Sequence, residues 1–195
     1  NNKTKAIIIN TPNNPTGKVL SSSTLSGLAA LAAEVGILII SDEMYHAFCY
    51  DVPFHSPAEF SPDVLVVDGF GKTYGMTGWR MGYFVAPAHI AKAATIALEA
   101  IIACASSVSQ KAAEAALSGP QDTVAEMCAA FKHRRDLAEA ILDREGVDYI
   151  HPGGSFYMVV NVPGGGDANA FAYSLLEQHH VAVAPGDAFG PGGAG

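Results

Sequence analysis

With 195 residues the chain has room for one ordinary domain, or for one domain and part of a second, and for a sizeable core. Its formal charge of −8, from 11 Lys and Arg against 19 Asp and Glu, argues against a nucleic-acid groove or a polybasic membrane patch. Hydrophobic residues at 49% against 15% charged, with 20 Gly and 11 Pro, place the chain outside the low-apolar, low-complexity composition of disordered proteins.

The first apolar run, residues 6–10, stops at a Pro/Asn/Gly-rich stretch over 11–17, the pattern of a buried parallel strand entering a loop. A helix follows, capped by Ser22 or Ser23, with Leu25, Leu28, Ala32 and Val35 at helical spacing until Gly36 ends it. Residues 37–41 read as a second buried strand, 64–67 as a third and 82–86 as a fourth, with an irregular, aromatic-rich stretch over 42–62. Buried strands alternating with a helix and long loops predict an α/β sheet covered on both faces. Ala-rich segments over 88–102 and 108–117 read as helices, and Ser118-Gly119-Pro120 is a break. The longest helical pattern, 121–145, carries Val124, Met127, Cys128, Phe131, Ala138, Ile141 and Leu142 near one stripe. It is interrupted by Lys132-His133-Arg134-Arg135, read as a solvated stretch. Beyond Gly146 the pattern is strand, turn, strand, helix, strand, so the expected division is a larger unit over 1–119 and a smaller α+β unit over 120–195.

Cys49, Cys104 and Cys128 form an odd set with no CxxC spacing, which points to reduced thiols in a cytoplasmic protein rather than a disulfide framework or a zinc knuckle. No apolar run approaches the ~20 residues of a membrane helix. The chain opens on Asn1-Asn2-Lys3 and closes on a Gly-rich run over 190–195, so both ends read as cut.

Ligands of open α/β sheets sit outside the carboxyl ends of the strands. Three polar clusters fall there: 13–17 after the first strand, 42–45 after the second, 71–73 after the third. Lys72, between a buried strand and a glycine-rich turn, is expected to lose part of its hydration and to offer an amine able to attack a carbonyl; the alternative is a stem that snorkels to water. Asp42 ends an apolar strand and needs a cationic neighbour, which a protonated ring nitrogen, an Arg or a helix N-terminus would supply. Tyr45 places a phenol beside the same ligand or packs among Phe48, Tyr50 and Phe54. Arg80, in a Gly-rich turn, clamps a phosphate or forms a surface ion pair.

Taken together, Asn14-Pro15-Thr16-Gly17, Asp42-Glu43-Met44-Tyr45 and Gly71-Lys72-Thr73-Tyr74-Gly75-Met76-Thr77-Gly78-Trp79-Arg80-Met81-Gly82-Tyr83 resemble the class I/II aminotransferases of fold type I, which use pyridoxal 5′-phosphate. The resemblance extends to Pro152-Gly153-Gly154-Ser155-Phe156-Tyr157, expected as a strand, and to the turn at 185–190. It implies a three-layer αβα large domain with a mostly parallel sheet, then a smaller α+β domain, both partial here. It also implies transfer of an amino group between an α-amino acid and a 2-oxo acid, and a homodimer. By that resemblance Lys72 would hold the cofactor as a Schiff base and shuttle the proton. Asp42 would keep the pyridine nitrogen protonated, Tyr45 and Asn14 would bond the ring's phenolic oxygen with Asn14 near the substrate carboxylate, and Arg80 would pair with the phosphate. Many relatives carry Ser where this chain has Gly69. The family's segment before Asn1, with a phosphate loop and a stacking aromatic ring, and an Arg after the last Gly-rich turn are expected to lie outside the chain. A β-lyase on the same fold and a non-catalytic effector domain of a transcription regulator are the alternatives.

Weaker signals point elsewhere. Asp42, His46 and His55 lack a metal-ligand spacing, His179-His180 suits a helix C-terminus, and Gly164-Gly165-Gly166 reads as a flexible loop.

Overall fold

Ile7, Ile39 and Val64 stand side by side in the computed structural model, which describes residues 3–193. They belong to three parallel strands, β1 (Ala6–Asn10), β2 (Leu38–Asp42) and β3 (Val64–Gly69), and β4 (Gly82–Val85) closes the edge antiparallel to β3 in the order β1-β2-β3-β4. The α/β class with a mixed, mostly parallel sheet is the one expected. Because successive side chains of a strand face opposite ways, Ile7, Ile9, Ile39 and Val64 share one face, and Asn10, Asp42 and Val67, aligned in register, share the other.

Helix α1 (Ser22–Val35) covers the first face. Its cap is Ser21 rather than Ser22 or Ser23, the Ser21 hydroxyl accepting the Thr24 N–H at 3.2 Å, and Gly36 ends it at φ 68°. Leu25, Ala29 and Ala32 pack on Ile9, Ile39 and Val64 to form the core, each large aliphatic side chain contributing about 1.5–3 kcal/mol on burial. The two alanines let helix and sheet approach closely, while Val35 turns to solvent. The opposite face is covered less tightly. Helix α3 (Ala88–Ile102) flanks it across a cavity of about 680 Å³ and buries none of its own residues, and Ile8 stays 72% exposed.

Lys72 lies in a one-turn helix, α2 (Phe70–Thr73), rather than in an open loop. Helix α4 (Ser107–Ser118) precedes the Gly119-Pro120 break, and α5 (Asp122–Glu145) is the longest helix, with Phe131 packed edge-on to Phe48 and stacked on Phe156. The solvated reading of 132–135 fails at Arg135. Positions 128, 131 and 135 fall on one helical face, so the guanidinium is carried inward, where it binds Asp51 and the Pro152 carbonyl.

Two further expectations are corrected. Residues 152–157 do not form a strand: Gly154 makes a single bridge to Cys49, and pairing is confined to the short strands β5 (Tyr149–Ile150) and β6 (Val159–Val160). After helix α6 (Ala168–His179) residues 181–185 carry no strand, for no edge pairs with them among the described residues, and Gly186–Phe189 is a 3₁₀ turn. No helix among the described residues is long and apolar enough to cross a membrane.

Candidate active site

The three loops at the carboxyl ends of β1, β2 and β3 converge. Asn10, last in β1, organises the first: its amide donates to the Asp42 carbonyl at 3.1 Å, and its Oδ1 accepts the backbone N–H of Asn14 at 2.7 Å. Asn13 Oδ1 then accepts both the N–H and the hydroxyl of Thr16, at 3.1 and 2.7 Å, which tightens the turn. Gly17 closes it at φ 67°, pressed so near Pro152 and the Gly154 carbonyl that a Cβ would overlap them. The Gly154 N–H donates to the Gly17 carbonyl and the Ser155 N–H to that of Phe48, at 2.9 and 2.8 Å, and the Tyr50 hydroxyl bonds the Ser155 carbonyl. These bonds bring Phe156 and Tyr157 to the end of the sheet.

Asp42, the last residue of β2, turns the chain by accepting the Met44 N–H at 3.2 Å. Tyr45 is then buried, its hydroxyl donating to that of Tyr157 at 3.2 Å and its ring meeting Phe156 edge-on at 5.3 Å. Burial, then the hydrogen bond to Tyr157, holds the Tyr45 phenol well above its ordinary pKa, and the Asp42 charge adds to that; Asn14 pulls the other way as a hydrogen-bonding neighbour.

Lys72 completes the group. Its Nζ stands 5.7 Å from the centre of the Tyr45 ring and 5.4 Å from that of Phe156, beside a pair of rings whose own centres are 5.3 Å apart. Beyond it opens the 680 Å³ cavity, walled by Lys72, Gly71, Thr77 and Arg80 on the polar side and by Val67 and residues of α3 on the apolar side. Arg80, left-handed at φ 52°, is exposed and bonds the Thr77 carbonyl at 3.1 Å.

Lys72, Asn14 and Asp42 thus gather around the Tyr45 phenol, and Lys72 and Arg80 share one cavity wall, whereas Asn14, Asp42 and Tyr45 lie outside that wall. Sequence reasoning missed Tyr157 as the partner of Tyr45, and Phe156 as a neighbour of the Lys72 amine. The aromatic pair after Pro152-Gly153-Gly154-Ser155 was visible, but not its partner 112 residues away. Among the described residues no group of three or more His, Cys, Asp or Glu could hold a metal ion.

Pyridoxal phosphate asks for an amine at its aldehyde, a carboxylate for its ring nitrogen, hydrogen-bonding groups at its phenolic oxygen and a cation for its phosphate. The residues here contain one answer to each, so the donor set fits. Gly69 sits where the backbone leaves little room for a side chain. It pairs with Gly82 across β3 and β4, and a Cβ at position 69 would come within 3.0 Å of both Gly82 Cα and the Met81 carbonyl oxygen.

The family model described as Aminotransferase class I and II matches residues 1–194. The chain is 40% identical to a probable aspartate aminotransferase of Methanocaldococcus jannaschii, over 98% of this chain and 52% of that protein. It is 42% identical to a probable aspartate/prephenate aminotransferase of Aquifex aeolicus, again over 98% and 52%. Among solved structures, an aromatic aminotransferase from Pyrococcus horikoshii matches with a TM-score of 0.95 at 35% identity, over 100% of this chain and 54% of that one. The chain therefore spans about half the length of the relatives it matches.

Proposed function

Because the chain belongs to the class I and II aminotransferase family, we propose that its protein moves an amino group between an α-amino acid and a 2-oxo acid, with pyridoxal 5′-phosphate as cofactor and Lys72 as the amine that holds it. The observation that carries this reading is the position of the Lys72 Nζ, beside the Tyr45 and Phe156 rings and on the wall of a cavity that Arg80 shares. When bound, the cofactor supplies an electron sink for charge developing at the substrate Cα.

The chain's own groups divide the remaining work. The Lys72 amine would hold the cofactor through its aldehyde group and, when not so engaged, would serve as the general base for the proton on the substrate Cα. Asp42 offers its carboxylate to a ring nitrogen and favours the protonated form there. Tyr45 and Asn14 hydrogen-bond the phenolic oxygen, with Asn14 also within reach of the substrate carboxylate, and Arg80 neutralises the phosphate. A division into a larger unit over 1–119 and a smaller one over 120–195 follows from the break at Gly119-Pro120. A homodimer is the assembly we infer for the complete enzyme, on the family resemblance.

Full-length protein incubated with pyridoxal phosphate, reduced with borohydride and digested should yield a pyridoxyl group on Lys72. The visible band of the unreduced protein should bleach with an amino acid donor and return with a 2-oxo acid; aspartate is the first donor to try, given the names of the relatives. Label on another lysine would overturn the site. Release of pyruvate and ammonia with no 2-oxo acid consumed would reassign the reaction to a lyase.

A further inference from the structure

On the same cavity as Lys72 lies a polar cluster, built on the buried Asp68, with no part in the reading above. Asp68, next to last in β3 and 6% exposed, lies four residues before Lys72; His46 directly follows Tyr45. His46 Nδ1 lies 3.0 Å from Asp68 Oδ2 and 3.2 Å from the Glu43 carbonyl oxygen. Both neighbours only accept, so the Nδ1 proton is present and is donated to them. Asp68 Oδ2 also accepts the Tyr83 hydroxyl at 3.0 Å, and its Oδ1 accepts the Gly69 N–H at 2.6 Å. One carboxylate therefore gathers three donors: from the loop after β2, from the turn into α2 and from β4.

We propose that His46 and Asp68 are positioning residues that lock the loop bearing Tyr45 to the turn bearing Lys72 and so fix where the amine stands against the phenol ring. The pair acts beside the backbone link from the Glu43 N–H to the Val67 carbonyl at 2.9 Å, where β2 and β3 end their pairing at Asp42 and Val67. Every acidic or phenolic group facing the pair belongs to the same cluster. Glu43 is buried, its carboxyl raised by that burial and bonded by the Ser56 hydroxyl at 2.6 Å. Tyr83 is pushed up to about 12 by burial and then by Asp68, with Tyr74 a more distant neighbour. The His46 ring also meets the tilted ring of Phe54. The proposal rests on Lys72 being the cofactor-binding amine, but its geometry does not.

The test compares Asp68→Asn, His46→Leu and His46→Asn in the full-length protein. Asparagine at 68 keeps the shape yet turns an N–H₂ toward two donors; asparagine at 46 keeps a donor where Nδ1 stood. We expect Asp68→Asn and His46→Leu to lose about tenfold in kcat with KM within about twofold, and His46→Asn to recover to within about threefold of wild type. The pH midpoint of the visible band of the bound cofactor should move in the first two and return in the third. In cofactor-free protein, modification of the Lys72 amine by trinitrobenzenesulfonate should change in rate by about threefold or more in His46→Leu alone of the His46 pair. Equal behaviour of His46→Leu and His46→Asn in these readouts overturns the proposal, and does so even if Asp68→Asn does not fold. Failure of wild-type protein to take a pyridoxyl group on Lys72 overturns the functional reading instead, and the labelling rates still decide for or against the pair.

Discussion

Arg135 of α5 grips Asp51 with two guanidinium nitrogens, at 2.5 and 3.0 Å, and gives a further bond to the Pro152 carbonyl at 2.9 Å. One buried fork thus joins the long helix to two of the loops that carry the site, the one through Cys49 and the one leading to Phe156 and Tyr157. Glu139, facing His151, extends the network along the helix.

Replacing Arg135 by Met should therefore destabilise the fold by about 2 kcal/mol at neutral pH, below the 3–5 kcal/mol typical of fully buried pairs because Asp51 is partly exposed. The hydrogen bond to Arg135 holds the Asp51 carboxyl below its ordinary range, so this stability is present above the unfolded carboxylate pKa and is lost as pH falls through the folded one. Urea unfolding of wild type and variant should differ at pH 7, begin to draw together near the ordinary carboxylate pKa of about 4, and converge only below the lowered folded pKa of Asp51. Identical midpoints at pH 7 would show that the grip adds nothing to stability.

Part of this was legible in the sequence. Lys72, Asp42, Tyr45 and Asn14 could be named as a group because each follows an apolar strand, and strand ends of an open sheet share one edge. Arg135 was misread since its neighbours are charged, although its spacing from Phe131 and Cys128 marks the inward face. The strand expected over 152–157 came from the family resemblance and not from a local pattern, since only Phe156 and Tyr157 are large and apolar in that segment. Loop contacts with Gly17 and Phe48 shape it instead, and these depend on close approach at Gly154, where a Cβ would strike the Phe48 carbonyl. Phe156-Tyr157 was readable as an aromatic wall of the site, but not the bond from Tyr45 to Tyr157, for no local pattern encodes a hydroxyl partner so distant in the chain.

Lys72→Ala should remove borohydride-fixed cofactor and lower the transamination rate by about 10²–10⁴-fold, the span of a lost general base. Its effect on stability should be small, within about 0.5 kcal/mol, because the amine packs against ring faces rather than filling the core. The two measurements are independent. A variant that keeps its rate sinks the role, and one that unfolds would make Lys72 a structural residue.

At position 69 the steric account predicts the opposite of a repair. Gly69→Ser supplies the hydroxyl that many relatives carry, yet its Cβ would press on Gly82 Cα and the Met81 carbonyl, so β3 and β4 must part. The expected cost is about 1–3 kcal/mol, as for overpacked sites, without tighter binding of pyridoxal phosphate. Fluorescence titration of the cofactor and urea melts together decide it. Tighter binding at unchanged stability would mean that the strands give way easily and that Gly69 is an avoidable loss.

His46 should make stability depend on pH in the reverse sense from Asp51. Hydrogen bonding to Asp68 is the largest influence on its imidazole and raises it above the ordinary value of 6.5, against the opposing effect of burial. A group raised on folding binds its proton more tightly in the native state. Its contribution is then complete below the unfolded pKa and disappears as pH climbs through the folded one. Wild type should accordingly exceed His46→Leu in urea midpoint at pH 6, and the two should draw together in the alkaline range above the folded pKa. The imidazole is partly exposed, so added salt should narrow the gap at pH 6 as well. A gap of constant size from pH 6 upward would mean that His46 acts through packing against Phe54 and not through its proton.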